Sequence, residues 1–240
     1  MHVRDFASAC ALTIALFPLH AVWAEVGTVS AIEGESVRVT PSGESLVLRV
    51  GSQLGLGDML EVKSGNIKIT LTDESEIALA AGSLLRIDEA QFKELERRRF
   101  SGWLFVGSLW SRVTKALSGS DAKFEVVTDR MVAGVRGTTF RVDIVANEGN
   151  EKETLVHVIA GRVGVAERAG RNAEPSNVGK PKATELKAGE SARATKDGMR
   201  REQGPPPARE DFERFVNSHQ RATESRAEHV RSRERNPRRR

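Results

Sequence analysis

The chain has 240 residues, enough for one large or two small domains, and its apolar content suffices to bury a core. Its one cysteine, Cys10, lies in the N-terminal apolar segment, so the remainder offers no disulfide, thiolate metal ligand or cysteine nucleophile. The formal charge of +4 is concentrated at one end: residues 25–204 carry 26 Lys/Arg against 26 Asp/Glu, and residues 205–240 carry ten Arg against six acids. The body therefore has no general basic field, and any electrostatic partner concerns the C-terminal arm.

Residues 1–24 read as a secretory signal peptide. A short polar start, Met1–Asp5, precedes an apolar run from Phe6 to Leu19, and Val22-Trp23-Ala24 supplies a cleavage site that leaves Glu25 as the new terminus. The run falls well short of the roughly 20 residues that cross a bilayer. This places the protein in the periplasm or outside the cell.

From Val26 to Ala194 the pattern is one of short strands with period-2 alternation, such as Ser36–Thr40, Asn66–Leu71, Phe140–Ile144 and Leu155–Ile159. Glycine-containing turns separate them, with Gly65, Gly107 and Gly161 standing just before strands. The spacing of about ten residues predicts an all-β fold: many short antiparallel strands in a sandwich, a barrel or an irregular solenoid-like body. A domain over 25–200 would be followed by a Pro linker and a charged tail over 201–240. Residues 88–101 favour helix by composition and form either a short helix or an exposed excursion between strands. Asp73/Glu74 and Asp88/Glu89 read as solvated carboxylates in turns or at edges.

Trp103 and Trp110 flank the most apolar stretch of the body. Seven apart on an extended chain, they face opposite sides unless a glycine turn intervenes. Core packing suits at least one of them, and an exposed one would serve as a ligand or partner contact. His157, between Val156 and Val158, is the one histidine of the body and reads as a wet-face residue. Without a G-x-S-x-G elbow, a cysteine or clustered histidines, the sequence indicates no enzyme, no cofactor and no metal site.

Lys123–Thr128 followed by Val132-Ala133-Gly134-Val135-Arg136-Gly137-Thr138-Thr139-Phe140 resembles the most diagnostic stretch of the FecR domain family. Leu56–Leu60, Ser64-Gly65 and Leu71–Ser75 are similar to its Gly-Asp turn and Asp-Gly-Ser hairpin, with Glu74 where the family has glycine. Val158–Val163 and Leu186–Glu190 resemble its closing strands, so the resemblance spans about 27–194. It implies an envelope domain that receives a signal through protein contacts. The family's regulators add a cytoplasmic anti-sigma segment and a membrane helix, which this chain does not display. Within the motif, Gly134 and Gly137 let the backbone bend, Phe140 enters the core, and Arg136 and Thr138 serve either structure or a partner.

After Gly204-Pro205-Pro206-Pro207, residues 208–235 read as a charged helix whose Phe212, Phe215 and Val216 form an apolar stripe suited to docking on the body. The arm over 209–240 suits an anionic membrane surface or a cell-wall polymer, and not nucleic acid in that compartment. The expected function is an exported, non-enzymatic binding or signal-receiving module with an envelope protein partner. The alternative is a carbohydrate or cell-wall binding module, with Trp103, Trp110 and Arg136 as contacts.

Overall fold

A computed structural model describes residues 25–92, 97–114, 122–135, 137–146, 149–168, 183–204, 210 and 212–218. The expected signal peptide, most of the C-terminal arm and Arg136 lie outside the described residues.

Among the described residues, seventeen strands form two sheets that share one strand. Sheet I runs in the order β4 (Gln53–Gly55), β1 (Glu25–Glu33), β6 (Asn66–Leu71), β7 (Glu76–Ala80), β9 (Arg99–Arg112), β12 (Thr139–Ala146), β13 (Lys152–Ala160), β16 (Glu190–Thr195) and β17 (Gly198–Gln203). Sheet II runs β3 (Ser45–Val47), β2 (Ser36–Val39), β5 (Met59–Val62), β8 (Leu84–Gln91), β9, β10 (Lys123–Val127), β11 (Met131–Val135), β14 (Arg162–Glu167) and β15 (Thr184–Lys187). Among the described residues every pairing is antiparallel except β9 with β10.

The shared strand works because of Gly107. The first half of β9 pairs with β8 and β10, and the second half with β7 and β12. At the crossover Gly107 has φ +94°, and a Cβ there would lie 2.3 Å from Ser83 Oγ and 2.4 Å from Ser83 Cα. No other residue type fits both the backbone conformation and the space. Ser83 Oγ accepts from Ser108 N at 3.0 Å and donates to Ser108 O at 3.1 Å, pinning the bend. Gly107 thus lies inside a strand, and is not the turn ahead of one that the sequence suggests.

The sheets enclose one continuous core. Phe100 and Phe124 of sheet II stack at 4.7 Å, and Phe140 of sheet I meets Phe124 edge-on at 6.4 Å. All three are at most 1% exposed, so the aromatic cluster joins the two layers. Inward residues alternate with outward ones along each strand, as in Phe140, Val142 inward and Arg141, Asp143 on the other side.

Three local expectations change. Residues 88–91 end β8 and residues 99–101 begin β9, so most of the described residues of 88–101 are strand, with Phe92, Arg97 and Arg98 between the two. Cross-strand pairing with each other overrides their helical composition. Asp73 is buried and not solvated: its carboxylate accepts from Ser75 N and Ser75 Oγ, each at 3.0 Å, and from Arg98 Nη1 at 3.4 Å. Glu74 takes φ 68°, adopting the conformation for which glycine is the usual choice. A short helix, α1 (212–218), lies against the outer face of sheet I; its Phe212, Phe215 and Val216 pack with Ala31, Ala78, Ala80 and Trp110 in a second cluster. The docking stripe expected from the sequence is therefore present.

Candidate functional site

The chemistry of this protein lies on the outer faces and free edges of its sheets. Across sheet I, the cross-strand partners Ala31, Lys68, Ala78, Trp110, Arg141, His157 and Ser191 form one outward row over β1, β6, β7, β9, β12, β13 and β16. The alanines leave a shallow trough, and α1 lies in it. Charges line the trough in close pairs. Lys68 Nζ meets Glu76 Oε1 at 2.8 Å, Arg112 Nη2 meets Glu76 Oε2 at 2.7 Å, and Arg141 Nε meets Asp143 Oδ2 at 2.9 Å. From α1, Glu213 Oε1 reaches Arg141 Nη1 at 3.2 Å. A cavity of about 190 Å³ remains between helix and sheet, walled by Trp110, Arg141, His157, Ile159, Phe212, Glu213, Val216 and Asn217.

His157 is half-buried at the rim of this trough, between the wet face expected and the core. Ser191 Oγ donates to the Gly204 carbonyl, so it must accept from His157 Nδ1–H, 2.8 Å away. That fixes the neutral tautomer with Nε2 as acceptor. Burial, and secondarily the Arg141 charge, push the imidazole below its usual range. His157 and Ser191 are thus spent on an internal hydrogen-bond chain that ends at the Gly204 carbonyl.

The outer face of sheet II carries Trp103. Arg168 lies 4.2 Å and Arg86 5.7 Å from the centre of its ring, and Phe105 stacks beside it at 5.5 Å. Its Nε1 is buried and has no hydrogen-bond partner among the described residues. Nearby, Glu125 is 2% exposed in a slot bordered by Gly134 and, beyond it, Gly164. Burial pushes its carboxyl up, against the counter-effect of Lys123 at 3.4 Å.

The sequence-selected residues are not brought together. Trp103 and Trp110 sit on the outer faces of different sheets, because the Gly107 bend lies between them. Trp110 is 5% exposed under α1 and offers no flat platform while the helix is seated. Thr138 is 3% exposed and donates its hydroxyl to Arg162 O at 2.7 Å, tying the β11–β12 corner to β14. Gly134 lies within β11, Gly137 has φ +81°, and Phe140 is fully buried. Among the described residues no three His, Cys, Asp or Glu side chains are grouped to hold a metal.

The edges differ in how they are protected. Among the described residues, β17 pairs only with β16 and presents exposed Arg200 and Arg201; β15 pairs only with β14 and carries exposed Glu185 and Lys187. Such charges discourage strand addition. β4 is three residues long, and two of them, Leu54 and Gly55, are buried. β3 is also short and pairs only with β2, but it ends in Val47, 62% exposed, and the turns beyond it expose Val50 at 62% and Leu56 at 48%. A cleft of about 640 Å³ lies alongside, lined by Val47, Arg38, Glu44 and Asp58. Sequence reasoning missed this edge, because an exposed valine in a strand reads no differently from a buried one.

The exposed large apolar side chains are Val47, Val50 and Leu56 at and after β3, with Val106 and Ile159 elsewhere on the sheets. Residues 59–164, from β5 into β14, match the family model described as FecR protein, so the resemblance carried by the 133–140 motif holds over that stretch. The match is narrower than 27–194: β1 to β4 and β15 to β17 lie outside it while completing the same two sheets. No curated protein matches the chain. Two crystal structures of a "putative anti-sigma factor" from Parabacteroides distasonis ATCC 8503, at 2.50 and 1.65 Å, are similar at 20% and 19% identity. Their TM-scores are 0.45 and 0.43, and each alignment covers 61% of this chain and 59% of the other. No described helix is long and apolar enough to cross a membrane.

Proposed function

We propose that this chain is an exported, non-enzymatic module of the cell envelope that receives a signal by binding another protein. The β3 edge carries the reading. Among the described residues it combines backbone groups unpaired on one side with Val47 in solvent, and the turns that follow expose Val50 and Leu56, whereas β15 and β17 are guarded by charge. An extended segment of a partner would add a strand beside β3 and lay its apolar side chains over these residues. The FecR match over 59–164 agrees with a signalling role through protein contacts.

Export rests on the signal-like segment 1–24. Cleavage after Ala24 would make Glu25 the mature N-terminus. The domain then spans 25–200, with the arm from 201 beginning in the last strand. That arm supplies a secondary attachment: residues 219–240 carry eight Arg and three Glu, a charge suited to anionic lipid or an acidic wall polymer. The test places a photo-crosslinking residue at Val47 in the full chain and analyses adducts from intact cells. One protein adduct at Val47, absent when the probe sits at exposed Asp197, supports the reading; equal labelling at both positions refutes it.

A further inference from the structure

The trough on sheet I invites a second kind of contact. Over its described residues α1 turns Phe212, Phe215 and Val216 to the sheet and leaves Glu213, Arg214, Asn217 and Ser218 exposed, so its apolar stripe makes the seat. Its seat is specific: Phe212, Phe215 and Val216 are 3%, 2% and 5% exposed against Ala31, Ala78, Ala80 and Trp110, which lie outside the main core. Glu213 brings a third carboxylate to a face with three cations, Lys68, Arg112 and Arg141, and two acids, Glu76 and Asp143. The fit is incomplete, since the 190 Å³ cavity stays open and Ile159 at its wall is 46% exposed. The helix follows within ten residues of β17, which ends at Gln203, so chain continuity keeps it near its seat.

We infer that this trough is a helix-receiving groove, and that its partner is an amphipathic helix with large apolar residues at i, i+3 and i+4 and a carboxylate at i+1. α1 fills the groove in cis and is displaced when such a helix arrives in trans. Larger side chains than those of α1 would enter the open cavity and cover Ile159, giving the incoming helix its advantage. The inference rests on the reading of this chain as a protein-binding module, but uses a different surface.

The probe is a fluorescent peptide of residues 209–219, titrated into the full chain and into a full-chain double variant, Phe212→Ala with Phe215→Ala, whose own helix no longer competes. The variant should bind at least about tenfold more tightly than the unmodified chain. A peptide carrying Glu213→Gln should bind the variant several-fold more weakly, and high salt should narrow that difference. A second variant, Glu213→Gln in the full chain, loosens α1 without touching an apolar contact and should show a smaller gain in the same direction. Equal affinity for all chains, or no binding to either variant, overturns the inference. Dimerisation of the unmodified chain that disappears with Phe215→Ala would make a second copy the occupant and overturn the assignment to a separate helix. Val47→Lys should leave peptide binding unchanged, so failure at the groove and failure at the β3 edge are told apart.

Discussion

Truncating Phe215 to alanine isolates what holds α1 in place. The side chain is 2% exposed and packs on the alanine floor of sheet I with Phe212 and Val216. Phe→Ala at a buried site costs ~3–5 kcal/mol. At about 1.4 kcal/mol per tenfold, the ratio of docked to free helix should fall by roughly a hundredfold or more. Because the second cluster is separate from the main core, the loss should stay local. Two measurements follow it: hydrogen exchange of the amides of 212–218, and trypsin cleavage after the exposed Arg214. Exchange protection should disappear and cleavage accelerate by about the same factor, while the unfolding midpoint of the β body moves little. Unchanged cleavage at Arg214 would refute the account of the seat. So would cleavage that appears only together with cooperative unfolding of the body.

Gly107→Ala should destabilise the whole fold by ~2–5 kcal/mol, from positive φ together with the clash against Ser83, and calorimetry should show one lowered transition. Burial raises the Glu125 carboxyl, so protonation is more favourable in the folded than in the unfolded chain. Its charging therefore costs stability as pH climbs from the unfolded carboxyl value through the folded one, and the stability is fully present only in acid. Glu125→Gln should remove that slope and unfold later than the native chain at neutral pH, and denaturant melts across pH check the sign. Deleting 219–240 should weaken salt-sensitive sedimentation with anionic vesicles or isolated wall while leaving exchange protection of α1 intact; undiminished association would remove the arm from the account.

The architecture was legible in the sequence because one-sided burial writes itself as alternation. Phe140-Arg141-Val142-Asp143 shows the two faces of β12 directly, and Arg141 with Asp143, two apart on a strand, already had to share a face. The stripe Phe212, Phe215, Val216 announced a docking helix by its spacing. Residues 88–101 misled because helix propensity is local, whereas their pairing partners are each other across a chain reversal. The continuity of β9 through Gly107 was equally hidden: a glycine before a strand and a glycine inside a bent strand look alike in one dimension. The site was less legible than the fold. Trp103 and Trp110 are both on outer faces, but α1 covers one and Arg168 stacks on the other, and neither cover is near in sequence. The exposed valines of the β3 edge acquire meaning only from the absence of a further strand among the described residues.

On this proposal the chain acts through protein contact at the β3 edge. The most direct test compares photo-crosslinking at Val47 in intact cells for the native chain and for a Leu56→Lys variant, which puts charge into the apolar edge. One protein adduct of defined mass is expected in the native chain, lost in the variant although the variant melts like the native protein. An adduct that persists undiminished in Leu56→Lys, or attachment of Val47 to wall polysaccharide in place of protein, would contradict it.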